Sequence, residues 1–300
     1  MILHGWFAGT TIVAEKLTGW YSVIELCGSP AVHTSEVRTI YEHHKRAIEK
    51  IKSELQEDPE IIALVIGGSI AKGIERPDSD IDCYIVVTDE RADQALKDSG
   101  VCYFNREVCD YEKGYVEGKI VSKDWLRKAA EYGNEATRWA FVKAWVEFTS
   151  DEEVSDLIEL IARYPRDEKE ERITGFLAQY QGHKWFCNEA FRREDSYLLA
   201  YAISNLVLFS GRMILAHNEM LYPFHKWFLH ELESAPDKPA ELMSAIHGLL
   251  DSRDEPGFEA YVECIESWDS FPQVKVKWVN KFVLDSEWNW LDPKMPVTDI

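Results

Sequence analysis

Two stretches decide the reading of this chain. The first is Ala63-Leu64-Val65-Ile66-Gly67-Gly68-Ser69-Ile70-Ala71-Lys72-Gly73, and the second is Pro77-Asp78-Ser79-Asp80-Ile81-Asp82-Cys83-Tyr84-Ile85-Val86-Val87. Ile61–Ile66 is an unbroken apolar run of the kind that forms a buried strand, and Gly67-Gly68 ends it. Ser69–Gly73 can open a short helix, which Pro77 stops. Ile81–Val87 reads as a second strand. Glycines at a strand end let backbone N–H groups approach an anion, a helix N-terminus favours negative charge, and the Ser69 hydroxyl adds a donor. The segment is therefore expected to cradle phosphate. It is not the Walker type, because no G-x-x-x-x-G-K-[ST] is present. Asp80 and Asp82 stand at i and i+2, so a strand presents both carboxylates on one face and turns Ile81, Cys83, Ile85 and Val87 to the core. Neighbouring carboxylates raise each other's pKa unless a cation lies between them, and hard oxygen ligands select Mg²⁺ or Mn²⁺.

An apolar residue, Gly67-Gly68-Ser69, ten further residues and then Asp80-Ile81-Asp82-Cys83 resemble the signature of the DNA polymerase beta-like nucleotidyltransferase superfamily. The resemblance implies an α/β (α+β) nucleotidyltransferase domain with a short mixed sheet, followed by an all-α helical bundle. It implies a nucleoside triphosphate as co-substrate, ATP being the expected one, with two Mg²⁺ ions. Gly67, Gly68, Ser69, Lys72 and Lys226 would bind the nucleotide, while Asp80 and Asp82 would be metal ligands and catalytic. The superfamily places a third carboxylate on a later strand. Asp110, in Cys109-Asp110-Tyr111, fits that pattern best, with Glu107 and Glu112 as alternatives. Residues 40–165, and more loosely 180–235, also look like bacterial small-molecule members of the aminoglycoside and lincosamide type. This implies transfer of a nucleoside monophosphate to the hydroxyl of a small acceptor, an antibiotic being one candidate class. The alternatives are a protein-adenylylating member of a toxin–antitoxin pair and a non-catalytic nucleotide sensor.

Outward from the motif, helical periodicity covers Ser35–Gln56, Asp89–Ser99, Trp125–Tyr132 and Glu152–Ala162. Val101–Asp110 reads as a strand, Ala144–Phe148 as an edge strand, and Glu117-Gly118 as a hairpin turn between Tyr115-Val116 and Lys119–Val121. Thr11–Val13 and Tyr21–Leu26 are strand-like. Beyond Pro165 long helical patterns dominate: Glu168–Arg193, Ser196–His217, Pro223–Leu232 and Pro239–Leu250, with a possible strand only at Val274–Val279. The expected division is an N-terminal extension over 1–34, the nucleotidyltransferase domain over 35–160 and a helical acceptor-binding domain over 161–300.

The 300 residues carry a net charge of −20, of which −7 falls in residues 1–150 and −13 in 151–300. A surface this acidic repels phosphate backbones, so no nucleic-acid partner is expected. The expected acceptor is neutral or cationic. No run reads as a membrane span, no signal-like N-terminus is evident, and the six cysteines show no C-x-x-C pair, which together suggest a cytoplasmic protein with reduced thiols. Arg138 and His183 read as an ion-pairing and a helix-packing residue respectively.

Overall fold

The computed structural model describes residues 40–273, 277–291, 296–298 and 300. Helix α1 (Glu42–Gln56) buries His44, Ala47, Ile48, Ile51 and Leu55 along one stripe. Strand β1 (Ile61–Ile66), helix α2 (Gly68–Lys72), strand β2 (Ile81–Val87) and helix α3 (Asp89–Lys97) follow. Then come β3 (Cys102–Asn105), β4 (Val116–Ser122), α4 (Lys123–Tyr132), α5 (Glu135–Ala140), β5 (Trp145–Thr149) and α6 (Glu153–Ile161). The sheet has five strands in the order β3-β4-β2-β1-β5. Only β2 and β4 run parallel, so the sheet is mixed.

Period-two alternation divides β2 between two cores. Ile81, Cys83, Ile85 and Val87 pack with the α1 stripe on one face. Tyr84 and Val86 pack with Leu126, Phe141, Val154, Leu157 and Ile161 on the other, under α4 and α6. Asp82 shares the second face, at the end of β2 where the apolar cover stops.

The remaining chain is helical: α7 (Lys169–Arg193), α8 (Ser196–His217), α9 (Phe228–Ser234), α10 (Leu242–Ser252), α11 (Glu255–Glu266) and α12 (Trp278–Phe282), the last running on through a π-turn. Helices α7 to α11 share a third core, which includes Phe176, Tyr180, Leu206, Phe209, Leu232 and Tyr261. Asp195 caps α8 and Asp254 caps α11, each accepting a backbone N–H from the first turn of its helix. An α/β part with a mixed sheet is thus followed by a helical part.

Several local expectations are corrected. Glu117-Gly118 is no turn but the middle of β4. A Cβ on Gly118 would lie 2.8 Å from Cys83 Sγ, so the glycine serves close strand packing. The strand expected over Val101–Asp110 stops at Asn105. Residues 277–279 show no strand, and Trp278 opens α12; Val274–Val276 lie outside the described residues, as do Thr11–Val13 and Tyr21–Leu26. Helices α5 and α11 were not anticipated. By length and hydropathy α8 alone among the described helices matches a membrane span. In the fold it is a core helix, most of it buried, with Arg212 ion-paired near its C-terminal end.

Candidate active site

The end of β1 meets the start of β2 at the glycines. Gly67 N–H donates to the Asp82 carbonyl oxygen at 2.9 Å. Gly68 has φ +63°, and a Cβ built on it would stand 1.9 Å from Asp82 Oδ2. The Asp82 carboxylate therefore lies directly against the backbone of the turn, in a space that any side chain would fill. Ser69 follows in the short α2, half-buried. Gly73, at φ 71°, ends that helix in the left-handed conformation.

The carboxylates are crowded. Burial pushes the Asp82 carboxyl above the ordinary range, and Asp80 and Glu117 push it the same way, against Lys119 and Lys226. The Tyr115 hydroxyl donates to Asp80, and this bond, with burial, holds its own pKa up to about 12. Asp80 is further held from behind. Tyr111 Oη donates to the Ser79 carbonyl at 2.9 Å, and His43 Nε2 lies 2.9 Å from the Pro77 carbonyl. The adjacent His43 and His44 both pack on Tyr111, with ring centroids 4.4 and 5.0 Å away.

Two lysines flank this pair. Lys72, on α2, is buried with Nζ 4.0 Å from the Trp139 ring centroid and 3.5 Å from the Ala140 carbonyl. Burial lowers its pKa to about 8, partly opposed by the charges of Asp82 and Glu231. Lys226 is exposed in the 3₁₀ turn His225–Trp227 of the helical half, and its charge bears on Asp82. Glu231, on α9, bears in the same way on Lys72.

Asp110, the expected third carboxylate, and Glu117 take different places in the structure. Asp110 follows β3 in a loop and is exposed, held in a two-pronged salt bridge by Arg46 of α1 at 2.9 and 3.0 Å. That partner lowers its pKa. Glu107 and Glu112 are exposed loop residues too. The parallel register of β2 and β4 instead sets Glu117 directly opposite Asp82. The sequence carried a signal for this: Val116, Gly118 and Ile120 alternate with Glu117 and Lys119. Reading Glu117-Gly118 as a turn hid it.

Among the described residues no three potential ligands converge into a metal cage. The donor set nevertheless fits a hard divalent cation. Mg²⁺ is commonly held by one or two carboxylates, with substrate phosphates and water completing its shell. Here Asp82 lies against the backbone of the Gly68 turn, and Asp80 is near enough to push its pKa up.

Of two further expectations, one changes and one holds. Arg138 is buried, not an ion-pairing surface residue. It donates to the carbonyls of Ala130, Glu131 and Gly133 at the end of α4, and to Ile161 at the end of α6. His183 does pack between helices, stacked on Phe209 at 5.6 Å, with burial pulling its pKa down to about 4.

Residues 49–107 match the family model described as "Polymerase beta, Nucleotidyltransferase". The likeness to polymerase beta-like nucleotidyltransferases is carried by this segment, about a fifth of the chain. The matched residues span α1 to β3 and contain the cradle, Lys72, Asp80 and Asp82. No curated protein matches the chain. Among solved structures, a nucleotidyltransferase-like protein from Exiguobacterium sibiricum is 13% identical with a TM-score of 0.44, over 74% of this chain and 73% of that one. Spectinomycin adenyltransferase AAD(9) from Enterococcus faecialis, solved with ATP and spectinomycin, is 15% identical with a TM-score of 0.30, over 81% of this chain and 94% of that one.

Proposed function

We propose that this nucleotidyltransferase moves a nucleoside monophosphate from a nucleoside triphosphate, ATP by preference, to a hydroxyl group of a small acceptor and releases pyrophosphate. The observation that carries the reading is the Asp82 carboxylate pressed on the Gly68 backbone, with Asp80 beside it. Phosphate-binding backbone and paired hard ligands then meet at one point.

Each residue has a part that its position supports. Backbone N–H groups of Gly68 and Ser69 hold the β- and γ-phosphates. Lys72 and Lys226 approach the triphosphate from the two halves of the chain and balance its charge. Asp80 and Asp82 hold the divalent cations, and Glu117, opposite Asp82, accepts the proton of the acceptor hydroxyl at its carboxylate. Two Mg²⁺ ions, when bound, lower the pKa of that hydroxyl and neutralise the leaving pyrophosphate. The fold's contribution is in-line geometry, with the reacting atoms held in place before the reaction begins.

The acceptor is neutral or cationic. The triphosphate is strongly anionic, residues 151–300 carry −13, and an anionic acceptor would be repelled by both. Purified protein incubated with each α-labelled nucleoside triphosphate, Mg²⁺ and a panel of hydroxylated amines, sugars and aminoglycosides should transfer label to at least one cationic or neutral hydroxyl compound. Transfer only to phosphorylated or carboxylated compounds would contradict the acceptor class. Transfer to none, with no nucleotide bound, would contradict the reading as a whole.

A further inference from the structure

Short helix α5 touches the nucleotide cradle with one end and the helical half with the other. At its C-terminal end, Trp139 lies under Lys72 Nζ and the Ala140 carbonyl faces both Lys72 and Gly67. A Cβ on Gly67 would stand 3.4 Å from that carbonyl oxygen. At its N-terminal end, Glu135 is 2% exposed and is gripped by two arginines of the helical half. Arg172 of α7 reaches Glu135 Oε1 at 3.2 Å, and Arg212 of α8 reaches Oε2 at 2.9 Å. Asn134 caps the N-terminal end, and Arg138 ties the helix to the ends of α4 and α6. The helix is thus fixed along its length and has little freedom to absorb a displacement of Glu135.

Arg212 is the hub. It is 1% exposed, and its guanidinium lies between the rings of Phe176 and Tyr222, with centroids 4.3 and 4.5 Å away. Tyr222 leads directly into the turn that carries Lys226. Arg212 also donates to the carbonyls of Val297, Thr298 and Ile300. A guanidinium suits this role, since its planar fork can bond several acceptors and stack on rings at once. Burying such a cluster is costly, and an apolar filling would secure the contact between the two halves at less cost. Its geometry also does something an apolar contact would not: it fixes the distance from the α7/α8 pair to α5.

We propose that Glu135 and Arg212 are positioning residues of the nucleotide site, setting through α5 where Lys72 and the Gly67 turn stand against the triphosphate. The inference rests on the nucleotide-binding role given above to Lys72 and the cradle. It assigns the buried ion cluster to nucleotide affinity and not only to stability.

Two substitutions separate the two roles. Glu135→Asp keeps the charge and shortens the arm by one carbon. Glu135→Gln keeps the length and loses the charge. Each is measured by thermal melting and by calorimetry with the four nucleoside triphosphates and Mg²⁺, in wild type and in a Lys72→Met background. The expected result is that Glu135→Gln melts lowest yet keeps near wild-type affinity. Glu135→Asp melts closer to wild type but binds the preferred nucleotide about tenfold more weakly, a typical coupling between separate sites. In the Lys72→Met background the shortening should cost little further affinity. The proposal is overturned if affinity follows melting temperature across the two variants, if Glu135→Asp binds as wild type does, or if its loss is undiminished without Lys72. Should wild type bind none of the four nucleotides, the functional reading itself fails, which is a different result from equal binding by wild type and Glu135→Asp.

Discussion

Asp82 carries an electrostatic cost in the folded chain. Its carboxyl stands above its ordinary range because burial and Asp80 disfavour the charge. A group raised in this way favours folding most when protonated, and that contribution is lost as pH rises through its folded pKa. Without metal, Asp82→Asn should therefore melt at or above the wild-type temperature at neutral pH, with the difference narrowing in acid, as differential scanning calorimetry would register. Turnover in the same variant should fall by about a thousandfold, as expected when a group organising transition-state charge is removed. Gly68→Ala should be more damaging to the fold than its size suggests. Its Cβ meets Asp82 Oδ2, and φ +63° is unfavourable for alanine. Glu117→Gln and Asp110→Asn form the decisive comparison for the third carboxylate. The first should lower kcat by about a hundredfold or more, the scale of a lost general base, and the second should leave kcat within a few-fold. The reverse order would return Asp110 to the site.

Among the elements, those with strong local patterns were legible in sequence. The apolar runs of β1 and β2 and the stripe of α1 emerge with their expected faces, because burial on one side dictates residue type. What was missed has weak local patterns. Strand β4 contains a glycine that looks like a turn, but it is required by Cys83 on the neighbouring strand, a contact between positions far apart in the chain. Gly118→Val should therefore lower stability by about 1–3 kcal/mol through overpacking, measured by denaturant unfolding. Helix α2 carries a titratable prediction. Lys72 holds its proton only to about pH 8 in the folded chain, against an ordinary 10.5. For an amine depressed in this way, the stabilising contribution is present above the unfolded pKa and is lost as pH falls through about 8. Nucleotide affinity runs the other way, since a neutral amine attracts phosphate less. Calorimetry should find binding weakening as pH rises past about 8 in wild type, while Lys72→Met shows a flatter profile.

For the whole molecule, the order of an α/β part and a helical part followed from the change in periodicity near Pro165. The join between them did not, because Glu135, Arg172 and Arg212 are unremarkable residues until the fold buries them together. The charge balance does act at this scale. With −13 in residues 151–300, a cationic acceptor should show a KM that rises with ionic strength as screening weakens the attraction. A KM that stays flat from low to high salt would place the excess acid away from the acceptor. The central claim is that Asp80, Asp82 and the Gly67–Ser69 turn form one phosphoryl-transfer site. It is tested most directly by pyrophosphate release from α-labelled ATP and the other nucleoside triphosphates, with Mg²⁺ and the acceptor panel, in wild type and Asp82→Asn side by side. The account predicts release with matched transfer of label in wild type, and about a thousandfold less in the variant. Equal release by the two proteins would contradict it.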